Sequence, residues 1–396
     1  MRVLVLTESY PTSEHPGRGI FIQEQAAALA SHHEVSVLFP QPSLPGVPSK
    51  WLERQAKSLD ADAVCAIPTG IHLLRPEYFY VPRHRGVRGR QLTYILRNTL
   101  RQTFPRPFDV VHAHWLAPAG FAAVRAVTGM DIPVVVTAHA GDVYRDLKQP
   151  RHRHVAREVA KRASRIIAVA EYFRGPLAEI GATEAKVRVI PNGVDLAVFT
   201  PLERDRARTE LQLPQGVPIY LYIGNLELAK GAADVVEAFF AHAPAEAVLV
   251  VAGTGPLWKQ FEQRVKQFPG RMLLRGWQAH KRVAWYLAAA DFFVLASYAE
   301  GNPVTVLESL CCGTPVIGST IPAIAPLIMS GVNGLLVEAG RVEALGKAMN
   351  IALSVQWDRT AIVRAAAARY GWVNVAERIA AVYAEAAERS RSSACT

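Results

Sequence analysis

Phe292-Phe293-Val294-Leu295, then Glu300-Gly301-Asn302-Pro303-Val304-Thr305-Val306-Leu307-Glu308, then Gly313-Thr314-Pro315-Val316-Ile317, is the run whose reading decides the fold. Four apolar residues that give way to a loop bearing glycine and proline read as a buried strand and its exit. The spacing after the loop predicts a helix over Val304–Cys311, and a second apolar run predicts a buried strand over Pro315–Ile317. Strand, helix and strand within about 30 residues make a parallel crossover unit. The same alternation extends upstream. Ile219–Ile223, Ala247–Ala252 and Met272–Arg275 read as strands, with helical patterns at Gly231–His242, Trp258–Gln267 and Lys281–Ala289. The first half repeats the scheme, with strands at Val3–Thr7, Glu34–Phe39, Val110–Ala113, Val134–Thr137 and Arg165–Val169. Its helical patterns fall at Phe21–Ala30, Val155–Ala163 and Tyr172–Ile180. The fold class is therefore α/β, with two doubly wound parallel sheets in tandem.

A chain of 396 residues exceeds what one core holds, since cores split beyond about 250–300 residues. Pro191-Asn192-Gly193-Val194-Asp195 is turn-rich and a polar, charged stretch comes after it, so the boundary is expected near 195–200. This gives a first domain over 1–197 and a second over 198–372. The helical pattern from Trp372 to Arg389 has no strand after it, so a helix over 373–396 is expected to dock back on the first domain. In such sheets ligands bind at the carboxyl ends of the strands, which makes a cleft served by both domains the default site.

Half the residues are hydrophobic and a fifth are charged, which excludes a disordered or fibrous chain. The four cysteines, Cys65, Cys311, Cys312 and Cys395, have no metal-ligand spacing and read as thiols of a reducing compartment. After Arg2 only four apolar residues precede Thr7, and no stretch approaches the ~20 residues a membrane span needs. A cytoplasmic protein, at most peripheral on the inner face of the membrane, is expected. The net charge of +10 is uneven: residues 1–200 hold 25 Lys and Arg against 17 Asp and Glu, and residues 201–396 hold 19 against 17. Eight arginines lie from Arg75 to Arg106 against Glu77 alone, and eight basic residues lie from Arg145 to Arg165. A cationic half implies an anionic partner: nucleic acid, a lipid surface or an acidic acceptor. The basic residues are not interleaved with aromatics in a nucleic-acid motif, so nucleic acid is set aside. The segment Arg90–Phe104 places Leu92, Ile95, Leu96, Leu100 and Phe104 on one helical face, with Arg83, Arg85 and Arg88 before it. That arrangement is expected to meet an anionic inner-membrane surface.

Chemistry is concentrated at strand exits. In the deciding run, Glu300 sits in the loop, Gly301 lets backbone approach a ligand, and Pro303 suits the first helical turn. The next N–H groups along the chain have no partner within the helix and favour an anion. Glu308, deeper on the same helix, is spaced to chelate a ribose diol. The second stretch is Tyr222-Ile223-Gly224-Asn225-Leu226-Glu227-Leu228-Ala229-Lys230-Gly231. A glycine at a strand end and a lysine before the next helix form a phosphate cradle, although the P-loop spacing is absent.

Taken together, the G-x-L-x3-K-G element, the E-G-x-P-x4-E element and Ile190-Pro191-Asn192-Gly193-Val194-Asp195 resemble family-4 retaining glycosyltransferases of the GT-B fold. Pro16-Gly17-Arg18-Gly19-Ile20-Phe21, Val111-His112-Ala113-His114-Trp115 and Thr137-Ala138-His139-Ala140-Gly141-Asp142 extend the resemblance to the first half. Its flavour is that of the group making teichuronic acid and other surface polysaccharides. The resemblance implies two Rossmann-like domains, the first binding acceptor and the second a nucleotide sugar. It implies that Lys230 binds the donor diphosphate, that Glu308 holds the ribose, and that Glu300 with the backbone of Gly301, Asn302, Pro303 and Val304 holds sugar and phosphate. Gly19 and Gly224 would admit backbone to the diphosphate, and His139 would lie by the transferred sugar. With Lys230 and Glu300, His139 completes the implied catalytic set; Arg18, His114 and Asp142 complete the acceptor side. The family's usual arginine is replaced here by Asn225, so Arg18 or Arg275 is expected to supply the missing cation.

Several weaker readings fall away. Gly253-Thr254-Gly255 lacks the third glycine of a dinucleotide fingerprint, Trp258, Trp277 and Trp285 read as core, and no G-x-S-x-G elbow or H-E-x-x-H motif occurs. The expected activity is retaining transfer of a sugar from a nucleotide sugar, UDP before GDP, to a lipid-linked or surface-polysaccharide acceptor. Neither metal nor cofactor is expected. A nucleotide-sugar epimerase, a phosphorylase, or a non-catalytic nucleotide-sugar- or membrane-binding subunit would share the architecture; product analysis separates them.

Overall fold

The structure, a computed structural model, describes residues 1–13, 15–43, 67–79, 85–102 and 106–394. Arg83, Phe104, Cys65 and Cys395 lie outside these residues, and so does the side chain of Arg85.

Residues Met1–Asn192 together with Trp372–Thr396 form one compact unit, and Gly193–Gly371 form another. In the first, β1 (Arg2–Leu6), β2 (Glu34–Leu38), β4 (Ile71–Leu74), β6 (Val110–His114), β7 (Val134–Ala138), β8 (Arg165–Ala168) and β9 (Val187–Val189) make a parallel sheet. Their order is β4-β2-β1-β6-β7-β8-β9, and a short parallel pair joins β3 (Gln41–Ser43) to β5 (Glu77–Phe79). Alternation along β1 sorts the core. Leu4 and Leu6 pack on one face with Leu92, Leu96 and Val159, while Val3 and Val5 pack on the other with Ile22, Val375 and Tyr383. The helix Trp372–Ala394 therefore belongs to the first unit, where Trp372 Nε1 also donates to Glu24 Oε2 at 2.8 Å.

The second unit holds β10 (Ile219–Ile223), β11 (Val248–Ala252), β12 (Met272–Gly276), β13 (Phe292–Leu295), β14 (Val316–Ser319) and β15 (Gly334–Val337). Their order is β12-β11-β10-β13-β14-β15, all parallel. Strand order reverses between β1 and β6 in one sheet and between β10 and β13 in the other. At such a switch point the loops at the carboxyl ends diverge and leave a crevice for a ligand.

Every strand and helix read from strong apolar runs is present within a few residues at each end. The polar stretch before Pro214 instead contains a helix, Arg204–Glu210. Glu203 caps it by accepting from the N–H of Asp205 and Arg206, and Arg208 is buried on Asp291 Oδ2 at 2.8 Å. The strands β4, β9 and β15 and the helices Phe121–Ala126, Val342–Ser354 and Arg359–Tyr370 were not foreseen. β4, β9 and β15 are short edge strands with one neighbour, so their sequences need no continuous apolar run. Cys311 and Cys312 are buried free thiols.

Candidate active site

In the second unit, the loop leaving β10 carries Gly224 to Gly231, and the loop leaving β13 carries Ser297 to Pro303. The two meet. Lys230 Nζ donates to Glu300 Oε1 at 2.8 Å, and Ser297 Oγ donates to the same oxygen at 2.9 Å. Gly231 makes this approach possible: its φ is +63°, and a Cβ there would stand 2.1 Å from the Ala296 carbonyl oxygen. Only glycine holds the lysine loop so close to the β13 exit. Tyr222 braces the loop by donating from its hydroxyl to the Asn225 carbonyl at 2.8 Å.

The helix Val304–Cys311 has Pro303 as its extended N-cap, so the proline stands just before the first turn and not within it. The Val306 N–H bonds back to the Pro303 carbonyl at 3.0 Å. The N–H groups of Val304 and Thr305 precede the intrahelical ladder, and with the helix dipole they favour an anion. Glu308 lies on this helix, buried, with its Oε1 2.8 Å from His280 Nε2. His280 opens the helix His280–Ala289 and stacks edge-on with Phe199, ring centroids 4.8 Å apart. It was missed because a lone histidine has no spacing signal; only its place at a helix start beyond the β12 exit marks it. Arg275 is committed elsewhere in its unit: its Nη2 donates to the carbonyls of Leu211 and Gln212 at 3.4 and 3.3 Å.

In the first unit, the β6 and β7 exits bring histidines together. His114 Nδ1 and His139 Nε2 are 3.0 Å apart, and the His112 ring lies tilted against His114 with centroids 4.6 Å apart. Burial holds His112 and His139 down to about 3 and His114 well below its ordinary value, so all three are neutral. Asp142 fixes the two exits: its Oδ2 accepts from the His139 N–H at 2.9 Å and its Oδ1 from the Leu116 N–H at 3.0 Å. Burial raises its carboxyl to about 7 despite these bonds. His114 and Asp142 are buried around His139. The β1 exit holds Arg18, exposed, with Nη2 donating to the Glu8 carbonyl at 3.2 Å. Gly19 comes next at φ +70°, where a Cβ would meet the Ser9 carbonyl oxygen at 2.4 Å.

Comparison with known proteins accounts for both units. Residues 203–369 match the profile of the glycosyl transferases group 1, and residues 17–198 match that of glycosyltransferase family 4. A D-inositol 3-phosphate glycosyltransferase of Xylanimonas cellulosilytica is 30% identical over 307 residues, 71% of this chain and 73% of that protein. The chain belongs to glycosyltransferase family 4. This glycosyltransferase is also 28% identical over 356 residues, 88% of each chain, to a Bacillus subtilis protein named for teichuronic acid biosynthesis, TuaC. Among solved structures it resembles Anabaena HepE in complex with UDP and glucose, with a TM-score of 0.72, 18% identity and coverage of 97% and 99%. It resembles the sucrose-phosphate synthase of Thermosynechococcus elongatus equally, with a TM-score of 0.72, 20% identity and coverage of 97% and 98%. At these identities the likeness is one of fold, and the fold is GT-B.

The glycosyltransferase has no group of three or more His, Cys, Asp or Glu placed to hold a metal ion among its described residues. No helix among them is long and apolar enough to cross a membrane.

Proposed function

We propose that this glycosyltransferase retains anomeric configuration, works without a metal or cofactor, and moves a sugar from a UDP-sugar, with GDP second, to a lipid-linked or surface-polysaccharide acceptor. The observation that carries the donor assignment is the Lys230–Glu300 pair at the β10–β13 switch point beside the start of Val304–Cys311. A cation and a helix start in one crevice offset the charge that develops on a departing diphosphate. Lys230 takes the diphosphate with backbone at Gly224 and Asn225, Glu300 and the Gly301–Val304 backbone take the sugar and its phosphate, and Glu308, oriented by His280, takes the ribose. In the first unit His139 is assigned the transferred sugar, and the loop of Arg18 and Gly19 the diphosphate, with Arg18 the better replacement for the arginine absent at Asn225. No second carboxylate is placed as a nucleophile toward the sugar among the described residues, so attack on the face the leaving phosphate vacates, assisted by that phosphate, is the favoured course. The UDP complexes of HepE support the donor, and the name of TuaC supports the acceptor.

A thermal-shift screen of nucleotides tests this reading: a ligand at a hundred times its Kd stabilises by about 2.7 kcal/mol. UDP is expected to stabilise most. Failure of every nucleoside diphosphate would overturn it.

A peripheral contact with an anionic membrane surface is part of the proposal, and Arg75, Arg90 and Arg101 are exposed for it. Of the arginines from Arg75 to Arg106, Arg88 is paired with Glu8, and Arg97 donates to the carbonyls of Ala126, Arg125 and Thr128. On the helix Pro150–Arg162, Arg151, Arg157 and Lys161 are likewise exposed on one face, and no acid pairs with them among the described residues. Each such residue adds about 1 kcal/mol beside an anionic surface, screened by salt.

A further inference from the structure

The histidines of the first unit share their protons in a way that the geometry nearly dictates. His112 has both ring nitrogens occupied. Its Nδ1 lies 2.7 Å from the Tyr383 hydroxyl and 3.4 Å from the Gln25 amide nitrogen, which can only donate. Nδ1 is therefore an acceptor, and Nε2 carries the proton and donates to Thr137 Oγ1 at 2.7 Å. His114 differs. Its Nδ1 meets His139 Nε2 at 3.0 Å, but its own Nε2 is fully buried and has no hydrogen-bond partner among the described residues.

Both rings are neutral, so one proton lies between them and one arrangement excludes the other. If His139 donates, His114 must carry its proton on Nε2, and a donor is left orphaned in the interior. If His114 donates from Nδ1, the orphan is only a lone pair, and orphaned buried donors are the rarer kind. The second arrangement makes His139 Nε2 an acceptor and puts the His139 proton on Nδ1. Among the described residues no protein group bonds that Nδ1.

We infer that His114 is a positioning residue that fixes His139 in the Nδ1–H tautomer, so that His139 meets its substrate as a hydrogen-bond donor and not as a base. The inference rests on the assignment of His139 to the transferred sugar, and it adds which way that hydrogen bond runs. A donor suits a lone pair of a sugar hydroxyl, and the protonated nitrogen has no lone pair with which to remove a proton. The Tyr383–His112–Thr137 chain holds the His112 ring that His114 packs against, so the C-terminal helix contributes to the placement.

The test is nitrogen-resolved NMR on the full chain labelled with ¹⁵N-histidine, with assignment through His112→Asn, His114→Asn and His139→Gln. His139 is expected to show a pyrrole-type Nδ1 and a pyridine-type Nε2; the opposite pattern overturns the inference. His114→Leu, checked for folding by circular dichroism, is expected to abolish that preference. It should lower kcat about a hundredfold, the low end for the loss of one positioned hydrogen-bond donor, while donor KM moves less. His114→Asn, whose amide can replace the Nδ1 donor, is expected to recover both the tautomer and most of kcat. If Leu and Asn variants lose kcat equally while His139 keeps its tautomer, the role of His114 is packing alone and the inference fails. His139→Ala with undiminished turnover would remove the sugar assignment instead, and the NMR pattern would still decide the tautomer.

Discussion

Replacing Lys230 by Ala and Glu300 by Gln separates the two charges at the proposed diphosphate site and gives each a signed expectation. Across 2.8 Å two unit charges attract by about 1.5 kcal/mol in water and about 6 kcal/mol at an effective dielectric of 20. Side-chain exposures of 29% for Lys230 and 14% for Glu300 leave the pair partly solvated, so its net worth is about 1 kcal/mol. An incoming diphosphate competes with Glu300 for the ammonium. Glu300→Gln removes that competitor and should tighten UDP about fivefold, the equivalent of about 1 kcal/mol. Lys230→Ala removes a charge-assisted bond of about 1.5–3 kcal/mol, so UDP should weaken by about tenfold or more. Turnover should fall in both variants, in Lys230→Ala by two to three orders of magnitude, as when one donor to a developing anion is lost. Isothermal titration with UDP reads the affinities, and initial rates with a nucleotide sugar read turnover. UDP affinity unchanged in Lys230→Ala, or weakened in Glu300→Gln, would refute the placement of the diphosphate at Lys230.

Glu308→Gln keeps a hydrogen-bonding group beside His280 but loses the charge that grips a diol; it should weaken UDP while leaving inorganic pyrophosphate unaffected, and equal losses for both ligands would remove Glu308 from the ribose. Activity is expected to survive EDTA; loss that manganese restores would overturn the metal-free reading. Acid should destabilise the first unit. His112 and His139 fall to about 3 in the folded state, and His114 falls too, so their contribution is present above about 6.5 and is lost as the pH drops. Asp142, raised to about 7, runs the other way, its contribution lost as the pH rises through 7. Between about pH 6 and 4.5 three groups oppose one, a slope of at most about 2.7 kcal/mol per pH unit; urea denaturation that is flat over this range would contradict the burial described. Replacing Arg151, Arg157 and Lys161 with Ser should reduce salt-sensitive sedimentation with anionic vesicles and spare UDP affinity; vesicle binding indifferent to these residues would place the contact elsewhere.

The deciding run at Phe292–Ile317 was legible because a buried parallel strand advertises itself as an unbroken apolar run, and its exit loop is then found by counting. Lys230 and Glu300 could be placed at strand exits for the same reason: each lies a few residues past such a run. Spacing does not encode which distant segment covers a side chain. His112 and His114 alternate along one strand, but the Tyr383 hydroxyl that reaches His112 comes from 271 residues further along. The Asp142 carboxylate reads as a loop acid free for an acceptor, and only the fold shows both oxygens spent on backbone N–H groups. Arg204–Glu210 was hidden by its charges, since Arg208 is buried through hydrogen bonds to Asp291 and two carbonyls rather than through apolar packing.

The chain enters the second unit at Gly193, and its last helix, from Trp372, returns to the first. Biosynthesis runs in the same direction, so a nascent chain must finish Gly193–Gly371 before Val375, Ile379 and Tyr383 reach the ribosome exit. Until then the face of β1 that bears Val3 and Val5 lacks part of its cover, and His112 lacks its Tyr383 partner. The inserted unit draws all its strands from one contiguous stretch and can mature before the final helix is made. Grafting another Gly193–Gly371 segment into this chain therefore has a natural pair of junctions, one at Asn192 and one at Trp372, provided the final helix keeps the residues that close the first sheet.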